Sequence, residues 1–373
     1  MGDQLPHFTA AAVQAAPVFL DREGTIQKAC ELIAEAGHAG ARLIVFPETW
    51  IPTYPWWHVT QGVFSNNEYL DLWKNAVEVP SESTAQLCDA AMRAGAYVVI
   101  GINERDTVTR GTLFNTIIYL APSGEIAHRH RKLMPTFTER TIWGFGDGSD
   151  LDVVDTPLGR VGGLICWEHE MTLAKYALYA QGEQVHCAVW PAFTTQNEHI
   201  DFGMRQYAYE GASFVVSACG VITPGSLPES LASTTKANGG SAIVGPDGKY
   251  LAGPLYDREE IIYAEVDLEA VVREKHSRDV AGHYARPDVF QLIVNRARKP
   301  VATFVGPDPL RADPLRADVP YVATPETIVD RLETVRAYLG SLIDRIEHQG
   351  DAEVSAAIEE ALASLEIAAT GVS

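Results

Sequence analysis

The chain has 373 residues, 46% of them hydrophobic, with a net charge of −20. That is enough apolar material for a large core, and the negative balance argues against nonspecific binding to nucleic acid or to an anionic membrane surface. Five cysteines at wide spacings, with no CxxC pair, argue against a disulfide framework and against a thiolate metal site, and point to a reducing compartment.

The first six residues have no basic stretch leading into an apolar one, so no signal peptide is expected. The longest uncharged run, 211–228, is interrupted by Gly220, Pro224 and Gly225 and reads as a strand and a loop rather than a membrane span. These features together predict a soluble cytoplasmic protein.

Residues 8–13 read as a first strand. A helix is expected over 25–36, with Ile26, Ala29, Ile33 and Ala36 at helical spacing and Gly37 and Gly40 as stops. The run Arg42-Leu43-Ile44-Val45-Phe46 is typical of a strand covered on both faces. Pro47 stops it and Glu48 follows. Residues 49–64 are irregular and aromatic, with Trp50, Tyr54, Trp56, Trp57 and Phe64. Such a loop suits either the wall of a small-molecule pocket or a subunit contact.

A helix around 83–94 precedes a strand at 96–102. Strands at 114–121 and 125–131 form a hairpin about Pro122-Ser123-Gly124. The second carries His128-Arg129-His130-Arg131-Lys132. A glycine-rich aromatic loop follows, over 137–150.

Next comes Arg160-Val161-Gly162-Gly163-Leu164-Ile165-Cys166-Trp167-Glu168-His169-Glu170: an apolar strand that ends at a cysteine, then a helical pattern over 171–180. A cysteine at the carboxyl end of a buried strand, just before a helix, stands where α/β proteins place their chemistry. Its N–H and that of Trp167 are candidates to face one pocket. A free cysteine is also a common core residue. Strands at 185–190, 214–218, 240–244, 250–251 and 261–266, and a helix at 200–211, complete the alternation.

From about residue 300 the composition shifts. Asp308-Pro309-Leu310-Arg311-Ala312 recurs as Asp313-Pro314-Leu315-Arg316-Ala317, an extended linker, before two helical patterns at 324–347 and 351–367. The chain therefore divides into an α/β domain, 1–295, and a C-terminal extension, 296–373.

Glu48, Lys132 and Cys166 each end a strand, and Glu139 stands seven residues after Lys132. Alone, each charged residue is most often a solvated charge. Together with Phe46-Pro47-Glu48, the run from His130 to Thr136, Trp143-Gly144-Phe145-Gly146-Asp147-Gly148, Cys166-Trp167-Glu168, Val189-Trp190-Pro191 and the stretch 282–288, they resemble the nitrilase superfamily of carbon–nitrogen hydrolases over roughly residues 8–295. The Lys132 motif, the Trp-Gly-Phe-Gly-Asp-Gly loop and the Cys-Trp-Glu triplet are similar to its nitrilase branch.

The resemblance implies a four-layer α-β-β-α sandwich, completed across a homodimer that often builds a larger spiral, and hydrolysis of a small-molecule nitrile to an acid and ammonia without metal or organic cofactor. It implies Cys166 as nucleophile, Glu48 as general base, Lys132 as the cation facing developing negative charge, and Glu139 as a second carboxylate. Residue chemistry agrees: a thiol of ordinary pKa about 8.5 is little ionised near neutrality and needs a cation or base beside it.

Tyr54, Trp167, His169 and Trp190 are candidate substrate-binding residues, with ordinary core packing the rival role for Trp190 and support of other groups the rival role for His169. Glu168 reads as a buried hydrogen-bonding residue. His128 and His130 match the lysine motif better than a metal site. Cys219, also at a strand end, lacks the Gly-Gly approach and the Trp-Glu that follows, and reads as structural, as do Cys30, Cys88 and Cys187. His58 and the stretch Glu170-Met171-Thr172 depart from common nitrilase patterns. The aromatic loop favours arylaliphatic or aromatic nitriles, with aliphatic ones open. An amidase or carbamoylase using the same residues is the alternative, and a non-catalytic assembly or ligand-binding protein a more distant one.

Overall fold

The structure, a computed structural model, describes residues 3–60 and 66–299. The helical patterns expected at 324–347 and 351–367 lie outside the described residues.

Two six-stranded sheets stack face to face. The first is built of β1 (His7–Gln14), β2 (Ala41–Val45), β3 (Tyr97–Arg105), β4 (Leu113–Leu120), β5 (Ile126–Arg131) and β12 (Glu260–Asp267), in the order β12-β1-β2-β3-β4-β5. The second is built of β6 (Val154–Thr156), β7 (Gly159–Ile165), β8 (Val185–Trp190), β9 (Phe214–Cys219), β10 (Gly239–Val244) and β11 (Tyr250–Tyr256), in the order β11-β10-β9-β8-β7-β6. β1, β2 and β3 run parallel, as do β7, β8 and β9, and the hairpin β4–β5 returns the chain to the direction of β2.

Helices α1 (Arg22–His38) and α4 (Glu82–Ala94) cover the outer face of the first sheet; α5 (Thr172–Tyr179) and α6 (Asn197–Gly211) cover that of the second. This is the expected α-β-β-α sandwich. Shorter helices α2 (Trp57–Thr60), α3 (Asn66–Asn75) and α7 (Glu229–Ala232) lie in connections, and α8 (Leu268–Arg278) follows β12.

The period of two along each strand explains the layers. In β1, Ala10 and Ala12 join the core between the sheets, while Ala11 and Val13 join the core under α1 and α4. In β2, Leu43 and Val45 face inward, and Ile44 and the following Phe46 face the helices. A strand apolar on both faces therefore reads as a continuous run rather than an alternation.

Helix ends follow local chemistry. Asp21 accepts from Gly24 N at 3.0 Å to start α1, three residues before the expected position. Gly37 does not stop α1; the chain turns at Gly40, whose φ is +90°. Ser81 and Thr84 form a reciprocal capping box on α4, and Gly95 closes it in the left-handed region.

Two glycines set the spacing at β7. A Cβ on Gly163 would sit 2.5 Å from Tyr119 Oη of the first sheet and 2.8 Å from the Cys187 carbonyl; one on Gly162 would sit 2.1 Å from Glu183 Oε1. Only glycine lets the first sheet and a buried carboxyl approach this strand so closely.

Candidate active site

Three strands deliver three side chains to one place. β2 continues through Phe46, whose N–H donates to Val99 O, into Pro47 and Glu48, and this turn lies so close over Gly101 that a Cβ there would be 2.3 Å from Pro47 O. β5 ends at Lys132, whose N–H donates to Asn115 O of β4 at 2.8 Å. β7, in the other sheet, ends at Cys166. The 3₁₀ turn Phe137–Thr141 adds Glu139.

Lys132 is fully buried and donates from Nζ to Glu48 Oε1 at 2.9 Å and to Glu139 Oε2 at 2.7 Å. Asn115 Nδ2 donates to the same Glu48 oxygen at 2.6 Å, and Thr136 N–H to Glu139 Oε2 at 2.7 Å. Glu48 Oε2 is buried and has no hydrogen-bond partner among the described residues. Tyr54 Oη donates to Glu139 Oε1 at 2.7 Å and packs on Trp56, Trp143 and Phe193, with ring centroids 4.9–5.7 Å away.

The site thus holds two carboxylates and one ammonium in a dry environment. Burial alone disfavours the Lys132 charge, but Glu139 and Glu48 together outweigh it and raise its pKa well above the usual lysine value. Glu48 is pushed up to about 7, chiefly by burial, with Glu139 adding to the rise and Lys132 and Asn115 opposing it. The Cys166 thiol is raised well above its ordinary value by burial and by Glu48, against the pull of Lys132. A resting thiol beside an unpaired carboxylate oxygen is the state that follows: Glu48 has both the free lone pairs and the pKa of a base working near neutrality.

Cys166 occupies the left-handed region, with φ +51°. A non-glycine residue there is strained, and it persists only where its surroundings impose the conformation. Two groups do so. His169 Nδ1 lies 2.7 Å from the Cys166 carbonyl oxygen. Glu168 accepts from Ile165 N–H and from Leu133 N–H, both at 2.8 Å, and pairs with His130 Nε2 at 2.9 Å. One carboxylate therefore binds the amide just before Cys166 and the amide just after Lys132, across the two sheets. Glu168, though fully buried, is held below its ordinary pKa: His130 and the two amides outweigh the burial that would raise it.

Of the sequence-predicted residues, Glu48, Lys132, Glu139 and Tyr54 form one hydrogen-bonded set, with Cys166 electrostatically coupled to it. Trp167 turns its ring outward, 44% exposed, toward His199. His169 spends both ring nitrogens on Cys166 and His186, and Trp190 stacks on His169 at 4.3 Å while donating to Ser217 Oγ, so both belong to the packing behind the cysteine. Cys219 is fully buried, its thiol pushed up to about 12 by burial, and all five cysteines are free thiols. His58 donates from Nδ1 to Pro55 O and edges onto Tyr54.

Asn115 and Phe193 escaped the sequence reading. The signal for Asn115 was available: an amide in the middle of the apolar strand Leu113–Leu120. Asn103, similarly placed in β3, donates to Ile51 O and Thr53 O and accepts from Trp143 Nε1, and so ties the aromatic loop down.

Residues 9–275 match the carbon-nitrogen hydrolase family. The chain is 43% identical over 307 residues to an aliphatic nitrilase of Sinorhizobium fredii, covering 78% of this chain and 97% of that protein. It is 40% identical over 316 residues to an aliphatic nitrilase of Rhodococcus rhodochrous, covering 80% and 86%. The NitFhit protein of C. elegans has the same fold, with a TM-score of 0.65 at 22% identity over 80% of this chain and 70% of that one. On this evidence the chain belongs to the nitrilases of the carbon–nitrogen hydrolase family.

Proposed function

We infer that this enzyme hydrolyses an organic nitrile to the carboxylic acid and ammonia, with Cys166 as nucleophile, Glu48 as general base, Lys132 as the cation and Glu139 as the carboxylate that orients Lys132. The observation that carries the reading is the buried hydrogen-bonded set of Glu48, Lys132 and Glu139 next to a strained cysteine. The thiol proton passes to Glu48 as sulfur adds to the nitrile carbon, and the nitrile nitrogen takes a proton, giving a thioimidate. Water adds to its carbon, ammonia leaves and a thioester remains. A second water, deprotonated by Glu48, releases the acid and returns the thiol. One nitrile and two waters become one acid and one ammonia. Expulsion of the thiol from the first tetrahedral adduct would instead release the amide.

The test is ammonia release from a panel of aliphatic, aromatic and arylaliphatic nitriles and their matched amides. Release from nitriles that disappears in Cys166→Ala is the expected result; release from amides alone would move the enzyme to the amidases. The relatives named above are aliphatic nitrilases, whereas Tyr54, Trp56, Trp143 and Phe193 form an aromatic cluster suited to flat substrates, so the panel spans both.

We also propose a homodimer that builds a larger spiral oligomer. Leu173 of α5 and Phe202 and Tyr209 of α6 support it, large apolar side chains left exposed on the outer helices. Among the described residues no helix is long and apolar enough to cross a membrane. A cytoplasmic location is proposed from the free thiols, and residues 296–373 are proposed as an extension beyond the hydrolase domain.

A further inference from the structure

Behind Cys166 runs a buried line of polar groups that the hydrolytic scheme leaves unused. Tyr207 Oη lies 2.5 Å from Glu183 Oε2; Glu183 Oε1 lies 2.7 Å from His186 Nδ1; His186 Nε2 lies 3.0 Å from His169 Nε2; and His169 Nδ1 lies 2.7 Å from the Cys166 carbonyl oxygen. Tyr207, Glu183, His186 and His169 are each no more than 1% exposed. They come from α6, the loop before β8, β8 itself and the turn after β7, and Gly162 leaves room for the carboxyl.

The direction of this line is fixed by counting protons. A carbonyl oxygen only accepts, so His169 Nδ1 carries hydrogen. In a neutral ring His169 Nε2 then accepts, and His186 Nε2 must donate to it. His186 Nδ1, in a neutral ring, accepts in turn, so Glu183 must be a carboxylic acid, donating through Oε1 while Oε2 accepts from Tyr207. Electrostatics agree at each site. Burial lowers both histidines well below the ordinary imidazole value, and burial raises Glu183 to about 8 against the opposing pulls of Tyr207 and Lys275.

We propose that Tyr207, Glu183, His186 and His169 form a one-way chain of hydrogen-bond donors, a set of positioning residues whose last link anchors the Cys166 carbonyl oxygen and holds the nucleophile in its left-handed conformation. Every dipole in the chain points the same way, and aligned hydrogen bonds in a low-dielectric interior reinforce one another. The proposal rests on Cys166 being the nucleophile.

The test uses the full-length enzyme and follows alkylation of each cysteine by iodoacetamide, together with kcat and KM on the best nitrile. Glu183→Leu removes both links at the carboxyl. Glu183→Gln keeps them, because its amide nitrogen donates to His186 and its oxygen accepts from Tyr207. Labelling of Cys166 and kcat are expected to slow about fivefold to tenfold in folded Glu183→Leu, the effect of one hydrogen bond, with KM little changed, and Glu183→Gln is expected to restore them to within about twofold.

Neutron diffraction from the wild-type protein supplies the measurement independent of variants. Deuterium is expected on the Glu183 carboxyl, His186 Nε2 and His169 Nδ1. Deuterium on both nitrogens of His186 beside a bare Glu183 carboxylate would overturn the proposal. So would a folded Glu183→Leu that labels at the wild-type rate, or a Glu183→Gln as slow as Glu183→Leu. Wild-type protein in which Cys166 labels no faster than the other four cysteines would remove the nucleophile assignment and this proposal with it; fast wild-type labelling unchanged in the variants removes this proposal alone.

Discussion

In the proposed scheme Glu48 acts as base only when ionised, and its carboxyl is held up to about 7 by burial. Because kcat/KM reports the free enzyme, it is expected to fall as pH drops through about 7, whereas a base of ordinary carboxylate pKa would stay active to far lower pH. A pH profile that stayed flat through that region would remove Glu48 from the role of base. Glu48→Gln keeps the shape but not the basicity and is expected to lose about 10²–10⁴ in kcat, with the enzyme still folded. The ends of the strands made Glu48, Lys132 and Cys166 legible in the sequence, because an apolar run that stops at a reactive residue is a local signal. Glu139 became legible only through the family resemblance, since a glutamate in a loop is ordinarily solvated. The supporting residues were harder to see: nothing near Glu183 in the chain announces that its carboxyl will be buried against a histidine three residues on and a tyrosine of α6.

At the scale of elements, the connection that matters joins β5 to β7. These strands lie in different sheets, and Glu168 spans them by taking the amide hydrogens of Leu133 and Ile165. Glu168→Gln would set an NH₂ against one of those donors and leave His130 without its partner. It is expected to cost about 3–5 kcal/mol in denaturant unfolding, as removal of one member of a buried pair does. Gly163→Ala is expected to cost about 1–3 kcal/mol, because its methyl would meet Tyr119 and the Cys187 carbonyl; an unchanged urea midpoint would show that the sheets accommodate it. Glu183 carries a pH signature of its own. Its folded pKa of about 8 stands above the ordinary 4.5, so the folded state retains a proton the unfolded chain gives up. That contribution is complete below 4.5 and fades as pH rises through about 8. Glu183→Gln is therefore expected to flatten the dependence of Tm on pH across that window. Most elements were readable from periodicity, down to β8, where both limits agree. The short edge strand β6 and helices α3 and α8 were not: β6 is three residues long, and the two helices bury too little apolar surface to write a clear stripe.

Over the whole molecule, the four layers follow from strands apolar on both faces, which require cover on both. Leu173, Phe202 and Tyr209 remain exposed on the outer cover of the second sheet. Light scattering is expected to find at least a dimer, and Leu173→Glu with Phe202→Glu is expected to shift it toward monomer; an unchanged mass would take these helices out of the interface. Which side chains from different sheets touch was not legible at this scale, because no local pattern encodes the docking of one sheet on another. That docking has a temporal side. Glu48 and Lys132 belong to the part of the chain made first, and Cys166 to the part made later. On the proposed roles, before the second sheet closes on the first the cysteine has neither its base nor its cation and reacts as an ordinary thiol. The enzyme therefore arms itself last, and a half-made chain presents no activated sulfur to its surroundings.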